Sequence, residues 1–457
     1  MDTFADRLGR IGAWFGQNKY LGAIKNAFQN FMPATISGAI GANVLVNDTV
    51  VQGNAQGLGG LFKPIMVLAP INTVFAAISF CTISCISVGI VMLVGHEIAT
   101  ANGETGAFPV VLSFISWLVV TPTNFYFWEK VGSEGTTIAN GAVLPSGSEA
   151  ITNFTGIGSN YLGATGLFTA LIVGIVAMEI FGFLRKQDAL KIKMPEQVPP
   201  GVMRAFEVLI PACIMLVIVG AIGHFIYLGT GLYLNDLIST YIQGPLMKVV
   251  GENIIAVLFL YLLVSLFWLV GIHGANMISA VKDPFFRPLL IANMTMFQEG
   301  AKSGYHTINV TFLQMFGEMT GSGITGALVA AILIFGKRED NRAIASLSLV
   351  PGLFNINETV VFGIPMVLNP ILGIPFILAP LASLLVGYFL ITIGFCHPIV
   401  IEAPWTTPPL LFGFIATGGS ITGAITQLIS FVTCIFIYTP FLIFYERYQN
   451  KQANLVE

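Results

Sequence analysis

Charged side chains are scarce in this chain of 457 residues: aspartate, glutamate, lysine and arginine make up 9% of it, whereas apolar residues make up 55%. Soluble domains carry about 25% charged residues, so this shortage excludes an ordinary soluble protein. The mean hydropathy of +0.82 agrees with that exclusion. We therefore expect an integral membrane protein that is surrounded by a lipid bilayer.

Several motifs are also missing. The net charge of −3 argues neither for nor against nucleic-acid binding. Such binding is not expected because the chain has no basic run with interleaved aromatic residues. It has no Walker-type phosphate loop, and we expect no cofactor. The first 25 residues lack a compact apolar core followed by a small-residue cleavage site, so we expect no cleavable signal peptide.

The five cysteines do not have the spacing of metal ligands. Each lies in an apolar segment, where burial makes the thiolate costly. We therefore expect no metal site and no redox role, and we interpret these cysteines as small core residues. They are Cys81, Cys85, Cys213, Cys396 and Cys434.

Long apolar segments, in contrast, are abundant. A spanning helix needs about 20 apolar residues, and the longest segment, 64–98, is either one broken span or two short ones, with Pro70 and Asn72 at the break. We predict an all-α polytopic membrane protein with about ten transmembrane helices. The predicted segments are 27–46, 64–98, 107–123, 162–184, 204–228, 250–271, 321–336, 366–394 and 421–445.

Lysine and arginine collect in four places, which together hold 14 of the 20 basic residues. Basic residues favour the cytoplasmic side of a membrane, so we expect all four clusters, including both termini, to face the cytoplasm. The clusters are the first 25 residues, 185–204, 337–342, and the C-terminus with Arg447 and Lys451.

The segment 185–203 mixes charged residues with leucine and isoleucine and ends in Pro-Pro-Gly. This pattern is typical of an amphipathic surface helix followed by a linker, and it divides the chain into membrane halves 1–184 and 204–457. The segment 124–160 is rich in glycine, serine, threonine and asparagine. We predict an extramembrane loop there, with a hairpin around 133–147.

The stretch FNINETVVFGIP, residues 354–365, places three polar side chains in an apolar setting between Pro351 and Pro365. A carboxylate inside a membrane costs about 2.5–3.5 kcal/mol on insertion scales, so it indicates function by default. Non-helical backbone at membrane depth needs shielding by protein or a water-filled cavity. We therefore predict a re-entrant hairpin whose tip presents Asn355, Asn357 and Glu358 to a substrate.

Two further stretches carry polar and aromatic residues of the kind that bind sugars. Aromatic faces cover the apolar faces of a pyranose, while fixed polar groups bond its hydroxyls. The first stretch, FWLVGIHGANMISA (267–280), contributes Trp268, His273, Gly274 and Asn276. The second, FCHPIVIEAPWTTPP (395–409), contributes His397, Glu402, Trp405 and Thr406.

Each of these residues has a simpler interpretation. Trp268 and Trp405 are also the kind of residue that anchors a helix at the membrane interface. His397, before a proline, suits a structural histidine, and Glu402 suits an ordinary loop acid. Basic residues near 282–287 suit snorkelling or pairing with a neighbouring aspartate.

At this point the chain resembles a known family. The stretches GIHGANMISAV and FNINETVVFGIPMVLNPILGIPFILAP, and the N-terminal AIKNAFQNFMPATISGAI, are similar to enzyme IIC of the lactose/cellobiose/diacetylchitobiose family in the bacterial phosphoenolpyruvate-dependent sugar phosphotransferase system. Thr359 stands where the family usually has proline. The resemblance implies the glucose-superfamily IIC fold, with two membrane halves per protomer, re-entrant hairpins and a homodimer. It implies that 1–184 mediates dimerisation and that 204–457 holds the sugar.

The resemblance also implies a function in the bacterial cytoplasmic membrane. The chain would import a β-linked disaccharide, with cellobiose or diacetylchitobiose first and lactose next, as the membrane subunit of a sugar phosphotransferase. It would present the sugar to a separate phosphorylated IIB, which receives its phosphoryl group through enzyme I, HPr and IIA. Glu358 and His273 would lie at the reacting hydroxyl, Trp268 and Trp405 against the sugar rings, and Asn357 at further hydroxyls.

Two other classes of function fit the same residues. A proton-coupled secondary transporter would use Glu358 and His273 as a proton relay, without phosphoryl transfer. A membrane-embedded sugar-modifying enzyme would use them without moving the sugar across the bilayer. The sequence leaves these alternatives, and the identity of the disaccharide, open.

Overall fold

The computed structural model describes residues 10, 14, 17–39, 70–130, 136–139, 148–192, 198–251, 253–298 and 300–453. Parts of two predicted spans, 40–46 and 64–69, lie outside these residues. Helices dominate the described chain, as predicted. Among the described residues, five helices are long and apolar enough to cross a membrane, and a sixth span is formed if the pair Thr73–Ser84 and Ile86–Ala101 is one broken helix.

The first half of the chain contains eight helices that the structure describes, several of them short. They are α1 (Lys19–Ala39), α2 (Asn72–Ser79), α3 (Ile86–Ala101), α4 (Phe108–Val119), α5 (Ser159–Leu162), α6 (Leu167–Arg185), α7 (Pro200–Thr230) and α8 (Leu234–Ile238). A π-helical turn, Phe80–Ser84, lies between α2 and α3. Within the described part of the predicted span 64–98, the chain bends by 49° between Ser84 and Ile86. The helix α2 begins at Asn72, and the residues just before Pro70 lie outside the described chain, so a break at Pro70 and Asn72 stays a prediction.

The remaining helices follow from residue 244 onward. They are α9 (Gly244–Gly251), α10 (Ile254–Leu269), α11 (Gly274–Gln298), α12 (Val310–Gly317), α13 (Thr325–Phe335), α14 (Glu339–Leu353), α15 (Glu358–Gly363), α16 (Gly373–Thr392), α17 (Leu411–Ala416) and α18 (Ile421–Ala453). The apolar ranges predicted α10, α13, α16 and α18 to within eight residues at each end. They missed α11, a helix of 25 residues, because its charged residues and two prolines lower its hydropathy. The short helices and the breaks between them follow from proline and glycine.

A three-stranded sheet lies in the predicted extramembrane segment 124–160. Its strands are β1 (Asn124–Lys130), β2 (Thr136–Ala139) and β3 (Ser148–Thr155), in the order β2-β1-β3. Both pairings are antiparallel, and the register against β3 shifts between Phe127 and Trp128. β2 falls in the stretch where a hairpin was predicted, and its partner is β1.

The described chain divides into two compact units. The unit that we call the N-terminal unit holds 22–32 and the described residues between 84 and 245. The C-terminal unit holds 246–453 with the described residues before 22 and at 33–39 and 70–83. The units divide at 245, whereas the predicted membrane halves meet at 185–203; the roles assigned to those halves stay a prediction.

Small residues allow the helices of the N-terminal unit to approach closely. The Ser113 hydroxyl of α4 donates to the Val91 carbonyl of α3 at 2.7 Å. A Cβ at Gly95 would lie 2.2 Å from the Ser113 hydroxyl, and one at Gly174 would lie 3.3 Å from the Val91 carbonyl. Close contact through small residues is how helices associate where lipid removes the hydrophobic driving force.

The direction of α16 against α18 follows from contacts at two levels of the C-terminal unit. The Tyr438 hydroxyl donates to the Gly323 carbonyl at 2.7 Å, and a Cβ at Gly323 would collide with the Phe376 ring at 2.3 Å. One turn earlier on α18, the Cys434 thiol lies 3.4 Å from the Ala379 carbonyl. As the number on α18 rises, the number on α16 falls, so the two helices are antiparallel.

One buried carboxylate joins two of the predicted cytoplasmic clusters. Glu446 of α18 accepts hydrogen bonds from the backbone N–H of Lys337 at 2.9 Å and of Arg338 at 3.4 Å, and from the Asn341 amide at 3.3 Å. The Arg342 guanidinium donates to carbonyls at the end of α13. The basic turn 337–342 and the C-terminal cluster therefore share one end of the C-terminal unit.

Candidate functional site

The turn at 354–357 forms because the proline-bracketed segment stops one helix and starts another. Pro351 lies in the last turn of α14. Its carbonyl accepts the N–H groups of Phe354 and Ile356 at 2.9 and 3.0 Å, which ends the helix. The next helix, α15, begins at Glu358 and ends before Pro365. The predicted break between two helices is therefore present at the predicted place.

Asn355 connects this turn to two distant loops. Its side-chain oxygen accepts the Thr320 backbone N–H, and its amide donates to the Trp405 carbonyl. Its φ of +64° lies in the left-handed region, which asparagine tolerates better than most residues. Asn355 thus holds the turn in place with both ends of its amide.

Asn357 is buried and bonds a second position of the loop that contains Thr320. Its amide donates to the Ser322 carbonyl at 2.9 Å. A Cβ at Gly321, whose φ is +91°, would lie 2.5 Å from the Asn357 side chain. Glycine is therefore required at 321, both for its conformation and for the space that Asn357 occupies.

The loop that receives both asparagines is 318–324, between α12 and α13. Sequence reasoning placed a span at 321–336 and missed this loop. The repeated glycines of GEMTGSGITG were the available signal. Of the five non-glycine residues with positive φ in the described chain, three, Thr320, Ile324 and Asn355, lie in these two turns. Such strain is typical of functional sites.

Glu358 is exposed at the start of α15. Within the part of the chain that the structure describes, no ion pair or hydrogen bond to its carboxylate is present. Its neighbour Asn357, in contrast, is 5% exposed. The turn therefore anchors its amides inward and presents its carboxylate outward.

Trp268 and His273 meet at the end of α10. Their ring centroids are 4.6 Å apart. Trp268 is 4% exposed, and its indole N–H has no hydrogen-bond partner among the described residues. The His273 Nδ1 accepts the Asn276 backbone N–H at 3.3 Å.

Gly271 and Gly274 shape the turn between α10 and α11. Gly271 has a φ of +81°. A Cβ at Gly274 would lie 2.1 Å from the Val264 carbonyl, so the close approach at this glycine is to α10. The Leu368 N–H donates to the Leu269 carbonyl at 2.8 Å, which ties this turn to the segment that follows α15.

The loop 395–409 brings the predicted residues Glu402 and Trp405 to different environments. Trp405 is 46% exposed, and its carbonyl is bound to Asn355. Glu402 is 2% exposed and forms an ion pair with Arg287 of α11. Glu402 is therefore a partner of a buried arginine and does not line an open surface.

The other predicted residues of this loop and of α11 lie as follows. The His397 ring is exposed and lies 6.3 Å from the Phe297 ring and 6.5 Å from the Tyr305 ring, measured between centroids. These ring contacts are with the end of α11 and the loop that follows it, rather than with the asparagine turn. Thr406 is half-buried beside Trp405, and Asn276 is exposed on the first turn of α11.

The comparisons with known proteins agree with these motifs. The model of the family described as "Phosphotransferase system, EIIC" matches residues 21–380. The chain belongs to this EIIC family. The resemblance predicted from the two central motifs is thereby confirmed, and EIIC chains are the permease subunits of the phosphotransferase system.

Relatives extend over almost the whole of this EIIC chain. It is 31% identical to the cellobiose-specific EIIC component of Lactococcus lactis subsp. lactis (strain IL1403), over 97% of each chain. It is 31% identical to the oligo-beta-mannoside-specific EIIC component of Bacillus subtilis (strain 168), over 94% of this chain and 91% of the relative. The crystal structure of ChbC, the IIC component of the N,N'-diacetylchitobiose-specific system, matches with a TM-score of 0.84 and 29% identity over 98% of each chain.

The left-handed backbone at Asn355 predicts an unusual order of stability. Asn355→Gly and Asn355→Ala lose the same two hydrogen bonds, but alanine also bears the cost of positive φ, about 1–2 kcal/mol. We expect the alanine variant to melt at the lower temperature in detergent. At Asn30, exposed within helix α1, the order should reverse because alanine favours a helix over glycine. An alanine variant at 355 as stable as the glycine variant would contradict the assignment.

Proposed function

We propose that this EIIC chain imports a β-linked disaccharide and presents it to phosphorylated IIB, which phosphorylates the sugar. Cellobiose and diacetylchitobiose are the preferred candidates, and lactose is the next. The observation that carries the proposal is the exposed Glu358 carboxylate, without a partner among the described residues, beside two asparagines that are anchored inward. The specificities of the similar cellobiose, oligo-beta-mannoside and diacetylchitobiose components support the class of sugar.

The chemistry follows from a carboxylate within reach of a sugar hydroxyl. The hydroxyl oxygen attacks phosphorus, the S–P bond to the IIB cysteine breaks, and the new O–P bond forms. Glu358 accepts the hydroxyl proton as general base, and His273 orients the hydroxyl or shares that role. Because the phosphoryl group arrives on IIB, which IIA, HPr and enzyme I supply, this chain needs only to position the hydroxyl.

The proposed sugar site combines the three stretches that the turn contacts bring together. The half-exposed Trp405 ring covers one face of the sugar. The buried Trp268 ring packs against the His273 ring and so supports it. Asn276 and Thr406 donate hydrogen bonds to sugar hydroxyls. Gly274 allows the backbone of α11 to lie close to α10. We propose a peripheral contact for His397. Asn355, Asn357 and Glu402 act mainly by holding the loops.

We also propose the architecture that the family resemblance implies. The chain would have about ten spans with re-entrant hairpins, form a homodimer through 1–184, and hold the sugar in 204–457. Both termini would face the cytoplasm of the bacterial cytoplasmic membrane. The shared location of the basic turn 337–342 and the C-terminal cluster at one end of the C-terminal unit supports this orientation.

A transport assay separates this function from the two alternatives. Proteoliposomes that contain the chain alone should equilibrate labelled cellobiose downhill, and added phosphorylated IIB on the cytoplasmic side should accumulate sugar phosphate there. A proton-coupled transporter would instead concentrate free sugar when a pH gradient is imposed. Sugar phosphate that stays on the side of sugar addition would indicate an enzyme that transports nothing.

Substitution of Glu358 by glutamine tests its role as proton acceptor. Glu358→Gln keeps the shape and polarity of the side chain, so sugar affinity should change by no more than a few-fold. Phosphorylation by phospho-IIB should fall by about 100-fold or more, the usual contribution of a general base. Glu339→Gln, at the exposed first turn of α14, is the matched control. A wild-type phosphorylation rate in Glu358→Gln would remove Glu358 from the mechanism.

Substitution of Trp405 tests the sugar-facing role of its exposed ring. Trp405→Ala should weaken disaccharide binding by about tenfold, because the ring no longer shields the apolar face of a pyranose. Trp405→Phe should retain most of the affinity. Phe436→Ala, on α18 at 69% exposed, controls for loss of an aromatic ring at the surface. Unchanged affinity in Trp405→Ala would assign Trp405 to the membrane interface instead.

A further inference from the structure

Helix α11 carries three charged side chains that are almost fully buried. Lys282, Asp283 and Arg287 are 7%, 5% and 3% exposed. Buried charges destabilise a protein unless they are paired, and even paired they are often no better than apolar residues of the same size. Of the two simpler interpretations from sequence, pairing with the neighbouring aspartate holds for Arg287, which lies 3.5 Å from Asp283, whereas snorkelling does not describe side chains at such depth. The pairing alone does not explain why charged residues occupy these buried positions.

Each basic residue of this group binds a loop of the proposed sugar site. The Lys282 Nζ lies 2.6 Å from the Glu318 carboxylate, at the start of the loop 318–324. The Tyr261 hydroxyl donates to the same carboxylate oxygen at 2.9 Å. Glu318 is thereby fixed from two sides, two residues before the Thr320 N–H that binds Asn355.

Arg287 binds two carboxylates on two different segments. One guanidinium nitrogen pairs with Glu402, in the loop that carries Trp405. The other lies 3.5 Å from Asp283, one turn earlier on α11. A planar guanidinium can bridge two acceptors in this way, whereas a lysine ammonium is a single point charge.

These contacts close into one circuit. From Lys282 it runs through Glu318 and the backbone to Thr320, then to Asn355 and the Trp405 carbonyl. From Trp405 the backbone leads to Glu402, which returns to α11 through Arg287. All four segments of this polar circuit belong to the C-terminal unit. The turn that presents Glu358 is one of its four corners.

We propose that Lys282 and Arg287 are positioning residues for the sugar site. They hold the loops 318–324 and 395–409 at fixed distances from α11, and so fix the gap between the Trp405 ring and the Glu358 carboxylate. The inference rests on the proposed function, because that gap matters only if a sugar occupies it. Catalytic and binding groups need a supporting shell of this kind to hold their geometry within about 0.5 Å.

The test separates positioning from a role in stability alone. Single substitutions such as Arg287→Met leave buried carboxylates unpaired, and we expect the resulting variants to be unfolded. The variant Asp283→Asn/Arg287→Met/Glu402→Gln removes the charges together, as does Lys282→Met/Glu318→Gln at the other end of the circuit. Arg338→Met/Asp340→Asn is the matched control, since that exposed pair, in which Arg338 lowers the pKa of Asp340, lies outside the circuit.

Three measurements are made on each variant in detergent: the melting temperature, the dissociation constant for cellobiose or diacetylchitobiose, and the ¹⁹F resonance of 5-fluorotryptophan at position 405 without sugar. Trp405→Phe assigns the resonance. We expect both neutral variants to fold, to bind the sugar at least about tenfold more weakly, and to shift or broaden the Trp405 resonance. The control should match the wild type in all three.

A purely structural circuit gives a different result. Neutral variants that fold, bind the disaccharide with wild-type affinity and leave the Trp405 resonance unchanged would overturn the proposal. If one of the two fails to fold, the other decides by the same criteria. If the wild type binds neither disaccharide, the proposed function fails instead, and the sugar-free Trp405 resonance still decides whether the circuit positions the loop.

Discussion

The arrangement of the C-terminal unit depends on one requirement: backbone that leaves a helix in an apolar chain must find hydrogen-bond partners within the protein. The two asparagines of the turn 354–357 supply such partners to the backbone of two other loops, 318–324 and 395–409. Asn355 serves Thr320 and Trp405, and Asn357 serves Ser322. The glycine at 321 and the positive φ at 355 are consequences of satisfying these groups in little space.

Once the amides face inward, the carboxylate of the same turn faces outward. Polar residues of one short stretch thus differ in their surroundings: the asparagines bond the neighbouring loops, and the Glu358 side chain is exposed. The same difference occurs in the loop 395–409, where Glu402 is buried against Arg287 and Trp405 is half-exposed. In each segment, therefore, a buried side chain that bonds other segments lies within three residues of an exposed one.

What could be predicted from the sequence was local. The length of the apolar segment predicted a helix over 204–228, and the observed helix runs from Pro200 to Thr230. The flanking prolines predicted the break between two helices just before Glu358. The pairing of Arg287 with Glu402 joins positions 115 residues apart, and no periodicity or propensity carries that information. The loop 318–324 was missed because the predicted span 321–336 began inside it, although its glycines mark an interruption there.

Glu446 limits how far the last helix can be shortened. Its carboxylate accepts hydrogen bonds from two backbone amides of the turn after α13 and from the Asn341 amide. The last part of α18 therefore holds this turn and the start of α14 in place. Engineers who trim the chain for crystallisation, or who graft a reporter onto it, must keep α18 intact through this residue. Such attachments belong beyond the helix end at Ala453.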